Sequence, residues 1–133
     1  KSEIVCGYRR SSLSEGIILS ARFRLRKKEK RKIAQSTKEY LDYRRRTQDP
    51  SWISAGCVFK NPEGYSAGRL IDLCGLKGER SGGARISLQH ANFIINTGNA
   101  SSADILKLIA LAKKRVRVKF GIGLEPEVRI WQS

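Results

Sequence analysis

Gly56-Cys57-Val58-Phe59-Lys60-Asn61-Pro62-Glu63-Gly64-Tyr65-Ser66-Ala67-Gly68-Arg69-Leu70-Ile71-Asp72 holds three kinds of local structure in one short run. The residues at 56–59 read as a buried strand. Asn61-Pro62 and Gly64 mark a turn, and Ser66 opens a helix that Gly75 is placed to end. Within this strand–turn–helix unit, Cys57 stands out. A thiol titrates near pH 8.5 when unperturbed, so at neutral pH it is mostly protonated and able to deliver a proton. On position alone the plainer reading leads, because most unpaired cysteines are small buried hydrophobes.

Upstream, Ile17 to Leu25 alternates towards its end and is the best strand candidate in the first third, while Glu3 to Tyr8 is also strand-like. A helix is expected from about Lys28 to Arg46, stopped by Asp49-Pro50. Residues 47–55 read as an irregular connection. Downstream of the central unit, 76–83 is a loop or hairpin turn, and Ala84–Leu88 and Asn92–Asn96 read as strands. Ser101 starts the clearest helix, with Asp104 three residues on and Ile105, Leu108, Ile109, Ala112 and Val116 on one face. Phe120-Gly121-Ile122-Gly123 breaks it, and Val128 to Trp131 is a plausible last strand. Interleaved strands and helices of this kind predict an α+β fold with a mixed or antiparallel sheet packed with helices.

The 133 residues suffice for one domain with its own core. No apolar run approaches the ~20 residues of a membrane-spanning helix, and the opening residues lack a signal-peptide pattern. Three cysteines (Cys6, Cys57, Cys74) without CxxC spacing point to reduced thiols in a cytoplasmic setting. With His90 the single histidine, no metal site is expected. The glycines match neither a dinucleotide fingerprint nor a P-loop. A start on Lys1 that runs directly into strand-like sequence suggests a piece of a longer chain.

The net charge is +15, and the stretch from Arg22 to Arg46 carries 12 Lys/Arg against Glu29, Glu39 and Asp42. Such a footprint suits a nucleic acid or another polyanion, and a basic nucleic-acid-binding module is one functional reading. The other is a solvated helix face, because Ile33, Thr37, Tyr40, Leu41 and Arg44 form one stripe that leaves the charges outward.

Seven stretches, in order across nearly the whole chain, carry a resemblance. They are Gly7-Tyr8-Arg9-Arg10-Ser11, Ala21-Arg22-Phe23-Arg24-Leu25, Ser54-Ala55-Gly56-Cys57-Val58-Phe59-Lys60-Asn61-Pro62, Ala67-Gly68-Arg69-Leu70-Ile71, Gly75-Leu76-Lys77-Gly78, His90-Ala91-Asn92-Phe93-Ile94-Ile95-Asn96 and Phe120-Gly121-Ile122-Gly123-Leu124-Glu125-Pro126-Glu127-Val128. Together they resemble the C-terminal part of the UDP-N-acetylenolpyruvoylglucosamine reductases (UDP-N-acetylmuramate dehydrogenases), the flavoenzymes of peptidoglycan precursor synthesis. The resemblance implies that residues 1–25 are the tail of an FAD-binding region lying mainly upstream, and that 26–133 form the substrate-binding domain, inactive alone. It implies reduction of an enolpyruvyl ether on a UDP-sugar to a lactyl ether, with NADPH reducing FAD. The expected partner is that UDP-sugar, with no specific nucleic acid and no membrane.

The chemistry sets three roles. Hydride addition to the terminal carbon of the double bond pushes charge onto the neighbouring carboxylate, which calls for cationic or protonated groups at its oxygens. An acid must then protonate the carbon bearing the ether oxygen, and further groups must hold the diphosphate and sugar. Carried over by motif, Arg9 and Glu127 face the carboxylate, Glu127 as a protonated group or through a proton network. Cys57 is the proton donor where the family carries serine; a thiol is the stronger acid but is open to oxidation. Tyr8 and Asn61 match substrate-binding positions. Arg44, Arg45 and Arg46 are available to a diphosphate without individual assignment. Read without the resemblance, Arg9 is a surface ion pair, Glu127 a solvated strand residue, Tyr8 a core residue and Asn61 turn chemistry.

Overall fold

The computed structural model describes residues 4–13, 16–48 and 52–131. The chain divides into two compact units, Lys1–Ala34 and Gln35–Ser133. In the first, β1 (Cys6–Gly7) and β2 (Arg10–Ser11) form a small antiparallel hairpin in which Gly7 faces Arg10. Residues 17–29 follow without regular structure. The strand expected at 17–25 is therefore absent: Ile17, Leu19, Phe23 and Leu25 have the alternation of a strand, yet all are largely exposed. Alternation marks a chain able to pair, but a strand exists only with a neighbour to take its N–H and C=O groups. Helix α1 (Lys30–Thr47) covers the expected range, with Arg44, Arg45 and Arg46 in its last turn, where cations favour the helix dipole. The Asp49-Pro50 stop lies outside the described residues.

The second unit is built on a four-stranded antiparallel sheet in the order β3-β6-β5-β4. The strands are β3 (Ile53–Cys57), β4 (Arg80–Ser81), β5 (Ala84–Ile86) and β6 (Phe93–Asn96). Strand pairing thus begins earlier than the 56–59 expected, and the 76–83 loop contains β4. Between β3 and β4 lies α2 (Ala67–Leu73), where the Ser66 side chain accepts the Arg69 N–H as N-cap. After β6 comes α3 (Ser102–Phe120), opened by a full Ser101–Asp104 capping box and closed by Gly121 in the left-handed conformation.

The α3 stripe falls as its spacing predicts: Leu108, Ile109, Ala112 and Val116 are buried. They join Leu70 and Ile71 of α2, Ala84 and Ile86 of β5, Ile94 of β6, and Val58 and Phe59 in one core. The final strand expected at 128–131 is not formed. Pairing instead occurs just before it, where Phe59 bridges Pro126 in antiparallel sense.

Candidate active site

Cys57 ends β3, and an irregularity in register places it there. Ser54 faces Ile95 while Cys57 faces Phe93, so β3 holds one residue more than its partner over this step. Gly56 absorbs the extra residue with φ of 85°, a backbone that side chains rarely adopt. Beyond the bulge, Val58 N–H donates to the Asn92 carbonyl at 2.8 Å. The buried Asn92 side chain then holds Phe59 from both sides, Oδ1 accepting its N–H at 2.9 Å and Nδ2 donating to its C=O at 2.8 Å. With those groups satisfied, the half-buried thiol stands at the end of a rigid strand.

The segment 125–127 runs antiparallel beside 58–60. Glu127 N–H donates to the Val58 carbonyl at 2.7 Å, and Lys60 N–H donates to the Glu125 carbonyl at 2.9 Å. The Lys60 ammonium and the Glu125 carboxylate form a salt bridge alongside. Glu127, half-buried, is thereby carried on the stretch next to the one bearing Cys57. Asn61 follows the same strand; its Oδ1 accepts the Ala67 N–H at 3.0 Å and ties the turn to the start of α2.

Tyr8 and Arg9 belong to the first unit, where they form the two-residue turn between β1 and β2. Both are exposed, and the Arg9 guanidinium lies 5.8 Å from the centre of the Tyr8 ring. Arg9 has φ of 57°. Left-handed backbone at a non-glycine residue is uncommon and clusters at functional sites.

His90 is half-buried, and its Nδ1 accepts the Asn92 N–H at 3.3 Å. Burial, and secondarily the charge of Lys77, hold its pKa below the ordinary value, which favours the neutral ring that accepts the Asn92 N–H. Among the described residues no group of three His, Cys, Asp or Glu side chains is placed to hold a metal.

A model of the UDP-N-acetylenolpyruvoylglucosamine reductase C-terminal domain matches residues 48–131, the segment that contains the bulge, the clamp and the paired 125–127 stretch. The chain belongs to that family. It is 45% identical to the UDP-N-acetylenolpyruvoylglucosamine reductase of Chloroherpeton thalassium over 98% of its length, and 47% identical to a Bacillus cereus reductase over 96%. The crystal structure of the enzyme from Thermus caldophilus superposes with a TM-score of 0.79 at 43% identity, covering 96% of this chain and 45% of that one. The chain spans about half the length of the curated relatives it matches, 45% and 44% of the two reductases. The family assignment leaves the nucleic-acid reading of the basic stretch without support. No described helix is long and apolar enough to cross a membrane.

Sequence reasoning passed over Asn92, although its stretch is one of the seven that carry the resemblance. An asparagine beside Phe93 and Ile94 in an otherwise apolar run is the signal that identifies it, since a buried amide needs partners. It also passed over Trp52 and Arg85, whose ring and guanidinium lie 5.4 Å apart. At Gly83, the closest backbone approach of any glycine, a Cβ would meet Ala100 N at 2.4 Å, so that space is filled by the chain itself.

Proposed function

We propose that this chain is the substrate-binding part of a UDP-N-acetylenolpyruvoylglucosamine reductase, acting in the cytoplasm in peptidoglycan precursor synthesis. The observation that carries the reading is the antiparallel pairing of 58–60 with 125–127, which puts the Cys57 and Glu127 stretches side by side from distant parts of the chain. The hydride is supplied by FAD recharged by NADPH, both assigned from the family, with FAD bound mainly by a region that residues 1–25 continue. Residues 26–133 take the UDP-sugar.

In this reading the Cys57 thiol protonates the ether-bearing carbon of the reduced substrate, and the bulge at Gly56 aims it. Arg9 and Glu127 face the substrate carboxylate, where charge develops, with Arg9 presented at the tip of its turn. Tyr8 and Asn61 contact the sugar-diphosphate or enolpyruvyl parts. The test is flavin reoxidation by the enolpyruvyl UDP-sugar in the full-length protein. Cys57→Ala is expected to slow it by about a hundredfold or more, the scale of a lost general acid, while Cys57→Ser keeps measurable turnover. Unchanged reoxidation in the alanine variant removes Cys57 from the mechanism.

A further inference from the structure

A second feature lies along the β3–β6 pair. A cavity of about 380 Å³ is lined by Leu41, Arg44 and Arg45 of α1, by Gln48 just after it, and by Trp52 and Phe93. No carboxylate is among its lining residues. Asp42, outside it, lies 3.7 Å from Arg45. The indole ring of Trp52 carries the Arg85 guanidinium 5.4 Å from its centre. Arg85 is anchored on β5 between the buried Ala84 and Ile86, and its Nε is buried with no hydrogen-bond partner among the described residues. The guanidinium packs over the π-face of the ring, a cation–π contact that braces Trp52.

An aromatic ring and two arginines lining one cavity suit a flat ring joined to a multiply charged anion. Guanidinium pairs with phosphate oxygens in a planar fork, and every nucleobase has a face that stacks on an aromatic side chain. The volume is that of a site for a nucleoside-sized group, not for a whole nucleotide sugar. Direction follows from the strand. Ser54 lines the cavity, and Cys57 lies three residues further along β3, opposite Phe93. Phe93, which faces Cys57 across the sheet, also lines the cavity, so its wall continues along β3 to the register of the thiol.

We propose that Trp52, held by Arg85, is the platform on which the nucleobase of the UDP-sugar stacks, and that it sets the preference for a nucleotide over a bare diphosphate. The proposal rests on the reductase reading above and assigns its specificity to a residue pair away from the chemistry. Arg85 is a positioning residue, acting through the ring.

Calorimetric titration of the full-length protein with UDP and with inorganic pyrophosphate tests it. UDP binds about tenfold or more tighter than pyrophosphate if the base stacks. Trp52→Ala then loses about ten- to a hundredfold in UDP affinity while pyrophosphate binding stays within about twofold. Trp52→Leu, which keeps apolar bulk in the wall, gives the same loss. Trp52→Phe restores most of the affinity, and Arg85→Gln weakens UDP alone. Failure to bind UDP, equal affinity for UDP and pyrophosphate, or UDP affinity unchanged in Trp52→Ala and Trp52→Leu overturns the platform. Substrate reduction with an unchanged KM in Trp52→Ala also sinks it and leaves the reductase reading standing. Trp52-dependent UDP binding in a protein that never reduces the enolpyruvyl substrate does the opposite.

Discussion

Helices α1 and α3 are nearly equal in length and both carry an apolar stripe at helical spacing, yet α3 buries four residues and α1 buries none. The stripes differ in what interrupts them. In α3, Leu108, Ile109, Ala112 and Val116 form an unbroken seam under the sheet. In α1, Ile33 and Leu41 are about half exposed, Tyr40 is more so, and Thr37 and Arg44 share the face. Amphipathic spacing says which side of a helix would turn inward. Continuous apolar volume decides whether it does. The difference divides the labour: α3 holds the second unit together, and α1 offers Arg44 and Arg45 to a cavity.

The largest expected effect tests that division directly. Leu108→Ala, at a fully buried site, is expected to cost about 2–5 kcal/mol in denaturant unfolding. Tyr40→Ala on α1 is expected to stay within about 0.5 kcal/mol, as exposed substitutions do. Comparable losses at both positions would break the comparison.

A smaller effect concerns how the helices start. Ser101 accepts the Asp104 N–H at 3.2 Å while the Asp104 carboxylate accepts the Ser101 N–H at 3.0 Å. Ser101→Ala should cost about 0.5–2 kcal/mol by the same denaturant measurement. A value near zero would mean that packing alone sets where α3 begins.

The smallest effect uses pH and rests on one residue of the second unit. His90 has its pKa lowered in the folded state, first by burial and then by Lys77. The fold therefore favours the neutral ring. Its contribution is present above the unfolded value of about 6.5 and is lost as pH falls through the folded pKa. Melting temperature should drop between about pH 7.5 and 5, and His90→Gln should flatten that part of the profile. A wild-type profile already flat over this range would rule out His90 as its cause.

Most of the second unit was legible from local chemistry. The capping box, the α3 seam, the Ser66 cap and the strands at 84–86 and 93–96 each follow from residues within a few positions of one another. The alternation at 17–25 misled, because a strand needs a partner and alternation does not supply one. Of the candidate site, motif resemblance singled out Cys57, Asn61 and Glu127 in the second unit and Tyr8 and Arg9 in the first. Asn92, Trp52 and Arg85 were not singled out. Their roles depend on what lies across the sheet: Asn92 clamps a strand 33 positions away, and Arg85 lies over a ring from another strand's approach.

The sequence by itself determined the α+β class, the family, and where helices α2 and α3 begin and end, because periodicity, caps and motifs are local properties of the chain. Only the tertiary structure decided that 125–127 pairs beside Cys57, that one apolar stripe is buried and the other is not, and that Trp52 and Arg85 meet. Those outcomes depend on hydrogen bonds and packing between residues far apart in sequence, which no local pattern encodes.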